Sequence, residues 1–391
     1  MKKYLKVLAL VLSIVLAAAC FSGCKNNSGT SSGAAGEATI KIGGIGPTTG
    51  DNANYGQAVK NAAEMAVKEI NAAGGVNGIQ LELNFQDDES DPEKSVNAYN
   101  NLKDWGMQVL MGTVTTNPCL AVVEKTAQDN MFQLTPSASA EDVIKGNNVF
   151  QICFTDPNQG TKSATYIAEN NLATKVAVIY NSSDAYSSGI YEKFRTEAAA
   201  KNLEIVSAEA FTDDSKTDFS VQINKAKSAG ADLVFLPIYY KEASQILAQC
   251  KSADYSPKFF GCDGLDGMLD IEGFDKTLAE GVMLLTPFVA GDGNEANQKF
   301  TDNYKAAYNE TPNQFAADAY DAIYIIAKCM ENGNVTADMS VSDICEIMKT
   351  QITALSYDGL TGNNMTWTAD GAVNKTPNAM KIENGVYVPM S

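Results

Sequence analysis

IKIGGIGPTTGDNANYGQAVKNAAEMAVKEINAAGGVNGIQLELNFQDDESD, residues 40–91, contains one complete strand–helix–strand unit. Ile40–Ile45 is a short, mostly apolar run of strand length. It ends in Gly46-Pro47-Thr48-Thr49-Gly50, a turn-forming cluster. From Gln57 to Ala72 apolar residues recur four apart, at Ala58, Ala62, Ala66 and Ile70, so they share one face of a helix. Gly74-Gly75 supply the stop, Leu81–Phe85 reads as the next strand, and an acidic turn follows. Two strands joined through a helix pair in parallel, because the crossover carries the chain back to its starting edge.

The same unit repeats on the C-terminal side. Asp91-Pro92 is a cap followed by a first-turn proline, which opens a helix to about Trp105. Val109–Met111, a helix over 118–129 and Phe132–Leu134 continue the series. A second series starts near residue 156. Its strands are Lys175–Tyr180, Leu203–Phe211, Ala231–Pro237 and Lys258–Gly261. Its helices cover 187–201, a stretch capped by Asp218 and stopped at Gly230, and 241–253. Repeated alternation predicts an α/β chain made of two doubly wound parallel-sheet lobes.

On the N-terminal side, Lys2, Lys3 and Lys6 precede an apolar stretch from Val7 to Ala19. It is too short to span a bilayer and suits the core of an export signal. Phe21-Ser22-Gly23-Cys24 then resembles a lipoprotein cleavage box, with Ala17-Ala18-Ala19-Cys20 a second candidate. Cys24 is preferred because the polar run 25–37 starts directly after it. That run is too polar to fold and, at about 5–6 Å × √n, reaches roughly 20 Å as a flexible tether.

Composition excludes several chemistries. The chain has 391 residues and a formal net charge of −18. Loss of the three signal lysines takes it to −21. Nucleic-acid binding needs a basic surface, so that class is excluded. Histidine is absent, which removes serine–histidine and cysteine–histidine triads and histidine-bearing metal sites. No cofactor motif is present; Gly44–Gly50 misses the dinucleotide spacing by one residue, and Pro47 lacks an N–H. Beyond Cys20 and Cys24 the cysteines are 119, 153, 250, 262, 329 and 345, with no C-x-x-C pair. Cys250–Cys262 and Cys329–Cys345 are conceivable disulfides, and free buried thiols fit equally well. The one arginine, Arg195, lies well inside its helix and reads as solvated rather than as a carboxylate clamp.

The opening unit, the Trp367-Thr368-Ala369-Asp370-Gly371 run and the closing Ile382–Val388 together resemble the leucine/isoleucine/valine-binding proteins. These are class I solute receptors of ABC importers, and the likeness covers about residues 38–388. It implies a three-segment hinge between the lobes. The expected division is signal 1–23, tether 24–37, lobe one 38–155 plus 288–358, and lobe two 156–287 plus 359–391. It also implies binding without covalent chemistry, so no enzyme.

Ligands of open α/β sheets sit beyond the carboxyl ends of strands, and the resemblance assigns roles to residues there. In Gly112-Thr113-Val114-Thr115-Thr116-Asn117-Pro118, Thr115 and Thr116 are matched to a ligand carboxylate. The register between Thr113 and Thr116 stays open. Ser137 and Ser139, in Thr135-Pro136-Ser137-Ala138-Ser139, are matched to carboxylate and ammonium. Tyr186 and Tyr239 close over the ligand from lobe two, Tyr55 and Phe315 add aromatic surface, and Asp263 pairs with the ammonium. The implied ligand is an α-amino acid, branched-chain or otherwise apolar. A ligand-sensing receptor, or a receptor for a small amide, urea or an aromatic acid, is the alternative. The implied partners are an ABC permease and a lipid anchor at the outer face of the cell membrane, with the receptor itself a monomer.

Overall fold

The Asp91 carboxylate accepts the Lys94 N–H at 2.8 Å and caps the helix that Pro92 opens, as its sequence position predicts. Such local signals place most elements in this computed structural model, which describes residues 38–390. The signal, the tether and Cys24 lie outside the described residues.

In the first half the elements are β1 (Ile40–Gly46), α1 (Ala53–Ala72), β2 (Leu81–Asp87), α2 (Pro92–Trp105), β3 (Val109–Gly112), α3 (Thr116–Asp129), β4 (Gln133–Thr135) and β5 (Val149–Gln151). The five strands form one parallel sheet in the order β2-β1-β3-β4-β5. The second series is α4 (Asp156–Glu169), β6 (Lys175–Asn181), α5 (Ala185–Ala200), β7 (Glu204–Phe211), α6 (Ser220–Ser228), β8 (Leu233–Leu236), α7 (Tyr240–Ser252), β9 (Lys258–Gly261) and β10 (Met283–Thr286). Its strands run β7-β6-β8-β9-β10, parallel, in the same winding as the first sheet.

The chain then returns. Helices α8 (Glu295–Tyr308), α9 (Gln314–Asn332) and α10 (Val341–Ala354) follow, and α9 packs along α1 of the first lobe. β11 (Ser356–Tyr357) and β12 (Met365–Thr366) form a small ladder. β13 (Asn378–Glu383) and β14 (Val386–Pro389) close the seven-stranded sheet as antiparallel strands beyond β10. The molecule therefore has two α/β lobes, each wound about its own sheet.

Several local expectations need correction. Helix α1 starts at Ala53, four residues before Gln57, and α3 starts at Thr116 rather than 118. Apolar periodicity fades in a polar first turn, so it reports helix starts late. Asp218 is not the cap of α6. Phe219 holds that position, and the Asp218 carboxylate accepts the Ser220 N–H at 2.9 Å as a turn just outside the helix. Neither conceivable disulfide forms, since all six cysteines from 119 to 345 are free and buried. Arg195 is exposed and pairs with Glu192 at 2.7 Å.

Candidate functional site

Apart from Phe315, in the first turn of α9, each residue matched to a ligand role stands after the carboxyl end of a parallel strand. The loop after β1 leads to Tyr55 in the first turn of α1. The loops after β3 and β4 carry Thr115, Thr116, Ser137 and Ser139. The loops after β6, β8 and β9 carry Tyr186, Tyr239 and Asp263. In both sheets the strand order reverses next to the first strand of the series, β1 or β6, which opens a crevice there. The two crevices face one another.

An aromatic cluster brings four of the expected residues together. The Tyr186 and Tyr239 rings stack at 4.9 Å with 13° between planes. Tyr55 meets the edge of Tyr239 at 5.8 Å and lies 4.1 Å from Phe315. The Tyr186 hydroxyl donates to Asp263 Oδ1 at 2.7 Å and accepts the Gly264 N–H at 2.9 Å. The Tyr55 hydroxyl donates to the Gly264 carbonyl, across the lobes. Gly264 is required here, because a Cβ would lie 2.6 Å from the Tyr186 hydroxyl and 2.8 Å from the Ile238 carbonyl. Asp263 is buried and has no cationic partner among the described residues. Burial pushes its carboxyl up to about 7, against the hydrogen bond from Tyr186 that favours the charged form. Asp184, beside Tyr239, is pushed up by burial to about 7 as well.

The hydroxyl loops form a second cluster. Thr116 begins α3, whose first N–H groups have no intrahelical partner. Its Oγ1 accepts the Ser139 N–H at 3.3 Å. The Ser139 hydroxyl donates to Asp156 Oδ1 at 2.6 Å. Ser137 turns away into its own lobe, its hydroxyl donating to the Val114 carbonyl at 2.6 Å. Thr115 holds the cap position of α3, but its side chain makes no cap bond and instead donates to Ser90 Oγ at 3.3 Å. Thr113 bonds back to the Thr115 carbonyl.

A cavity of about 350 Å³ opens between the lobes, lined by Asn52, Ser90, Thr115, Asp184, Tyr239 and Glu242 among others. Of the expected residues, Thr115 and Tyr239 line it; the others are buried and do not. Direct bonds cross the cleft around it. Asn117 donates to the Ser183 carbonyl at 3.1 Å and accepts the Ala185 N–H at 3.1 Å. At the mouth, Asp51 is held by Lys216 at 2.8 Å and by Lys241. Gln314 donates to the Asp263 carbonyl at 2.7 Å. The lobes are thus closed on each other.

The model of the periplasmic binding protein family matches residues 39–386. The chain belongs to that family. Among its relatives are a Leu/Ile/Val-binding protein homolog of Brucella melitensis and the leucine-, isoleucine-, valine-, threonine- and alanine-binding protein of Pseudomonas aeruginosa. The first is 32% identical over 77% of this chain and 81% of the relative. The second is 30% identical over 75% of this chain and 78% of the relative. In structure the chain is similar to the branched-chain amino acid transporter substrate binding protein LivJ of Streptococcus pneumoniae, solved with isoleucine. The two share a TM-score of 0.81 and 28% identity over 89% of this chain and 97% of LivJ. A solute binding protein of R. palustris, solved with benzoate, shares the fold at a TM-score of 0.81 and 21% identity over 90% of this chain and 96% of its own.

Within this family member, sequence reasoning missed several residues of the cleft. Asp156, Gln159 and Asp184 are buried beside the expected residues, yet each sits in a helix-start pattern that reads as ordinary capping. The Asp51–Lys216–Lys241 contact joins residues more than 160 positions apart, and no local signal announces it.

Proposed function

We propose that this chain is the exported solute-binding receptor of an ABC importer and captures an α-amino acid, most fittingly a branched-chain or other apolar one. The observation that carries the reading is Asp263, a buried carboxylate among three tyrosines with no protein cation against it. An ionised carboxylate in that setting is costly until a cation fills the site. A ligand ammonium supplies one, while tyrosine and Phe315 faces offer apolar surface for an aliphatic side chain. Thr116, with the first turn of α3, takes the ligand carboxylate. The relatives named for leucine, isoleucine and valine, and LivJ with isoleucine, support the same class.

Lobe one, taken as 38–155 plus 288–358, receives the ligand. Lobe two, 156–287 plus 359–391, closes by a hinge movement and buries it. The closed receptor, a monomer, docks on a membrane permease. Cys24 carries the lipid anchor, and 25–37 is the leash. An aromatic acid such as benzoate lacks the ammonium that Asp263 calls for, so that alternative is disfavoured.

A thermal-shift screen tests the reading. Ligand at ~1,000 times its Kd adds about 4 kcal/mol to stability. Leucine, isoleucine or valine is expected to raise the melting temperature by several degrees. A shift with benzoate, urea or small amides and none with any amino acid refutes it.

A further inference from the structure

We infer that Gln314 is a positioning residue of the ligand site: from lobe one it grips the lobe-two turn that carries Asp263, and so fixes that carboxylate against the ligand in the closed receptor. The inference rests on the amino-acid reading above and deepens it. Gln314 is the first residue of α9, and it is buried. The first N–H groups of a helix have no intrahelical partner. Asn313 caps α9 through its Oδ1, which accepts the Ala316 N–H at 3.1 Å, and that leaves the Gln314 N–H to be taken from outside. Asp266 Oδ2 accepts it at 2.9 Å. The Gln314 side-chain amide donates to the Asp263 carbonyl at 2.7 Å. A single residue of α9 thus holds both ends of the Asp263–Asp266 turn.

The turn is supported differently from its two sides. Within lobe two, Gln159 Oε1 accepts the Asp263 N–H at 3.1 Å and the Tyr186 hydroxyl donates to the Asp263 carboxylate at 2.7 Å. Those contacts stay inside one lobe and survive opening. The two Gln314 bonds run between the lobes, so a hinge movement breaks both together. The Asp266 carboxylate, at the start of a 19-residue helix, also has the favourable sign for the helix dipole. A charged group serves a site only when the backbone beneath it is held, and closure adds the second hold. Removing the side-chain amide alone strands nothing, because the Asp263 carbonyl still accepts the Asp266 N–H at 2.9 Å. Ligand meets lobe one first, before the Asp263 turn arrives. Gln314 therefore acts on release rather than on capture.

Stopped-flow binding of L-leucine to the full chain tests this. Gln314→Met keeps the volume and the backbone N–H and removes the amide donor. Release is expected to quicken about fivefold, the scale of one neutral hydrogen bond, with the association rate unchanged. In an Asp263→Asn background the same change should quicken release by less than about twofold, because Gln314 acts through that carboxylate. Melting curves check folding, and Gln314→Leu carries the test if Gln314→Met does not fold. Unchanged release, slower association alone, or the same effect in both backgrounds overturns the positioning role and leaves the amino-acid reading intact. A wild-type chain that binds no amino acid overturns both.

Discussion

Leucine affinity should fall as the solution is acidified, through one group. The pairing partner is the ionised Asp263 carboxylate, and burial holds its carboxyl near 7 in the empty site. Affinity is therefore full above about pH 8 and is lost as pH drops through 7, tenfold for each unit once protonation dominates. Between pH 8 and pH 5 the ionised fraction falls about 90-fold, which is about 2.7 kcal/mol at 1.36 kcal/mol per unit. Asp184, also near 7, changes charge in the same range, and burial raises the Asp156 carboxyl too, so the wild-type profile alone does not assign the effect. Asp263→Asn isolates it. The amide keeps the shape and the Tyr186 contact, removes the charge, and should cost about 2–5 kcal/mol of binding at pH 8. Its residual affinity should be nearly flat in pH. Calorimetry at four pH values measures both curves. A wild-type affinity unchanged from pH 8 to pH 5, or a variant that keeps the full slope, refutes the ammonium pairing.

Four other outcomes are expected, three from the geometry and one from the proposed anchor. Without ligand, the carboxyls of Asp88, Asp266 and Asp318, raised to about 6, and of Asp184 and Asp263, raised to about 7, contribute stability that is present below their unfolded values and lost as pH rises through 6–7. Calorimetric melting of the empty protein should accordingly show a higher midpoint at pH 5 than at pH 8, opposite in sign to the binding trend. Asp51→Ala removes the contact with Lys216 and Lys241 across the cleft mouth and should speed ligand release about twofold to fivefold, because exposed pairs contribute at most about 1 kcal/mol each; stopped-flow rates should converge with wild type at 1 M salt. Lys375→Met strands Asp318, whose 2.7 Å ion pair is buried, and should cost about 3–5 kcal/mol in denaturant melts, most of it restored by adding Asp318→Asn. Cys24→Ala should release the protein from the cell surface with ligand binding intact, which fractionation and calorimetry together would check.

Strands and helices were legible because apolar period and stop signals are local properties. Lys258–Gly261 and the Pro92–Trp105 helix read true to the residue. Starts such as that of α1 were not, since a polar first turn carries no period. Tyr186, Tyr239 and Asp263 were legible as residues that stand out at strand ends, and the fold brings the three together. Asp156 stayed hidden, because Asp-Pro at a helix start is common punctuation and only the fold shows that its carboxylate turns inward to Ser139. Ser137 shows the converse. Its sequence position matches an expected ligand contact, yet its hydroxyl is spent on Val114.

The six enclosed thiols have a practical side. Burial lifts Cys119 to about 11 and Cys250, Cys329 and Cys345 to about 12, so almost none of their sulfur is in the reactive thiolate form near neutral pH. Burial raises Cys153 and Cys262 well above the ordinary thiol value too. Unfolding in denaturant would expose all six, whereas the native fold shuts them away from oxidant and alkylating reagent alike. Strong reductant should accordingly leave the fold of the described residues unchanged, since none of its six cysteines is held in a disulfide.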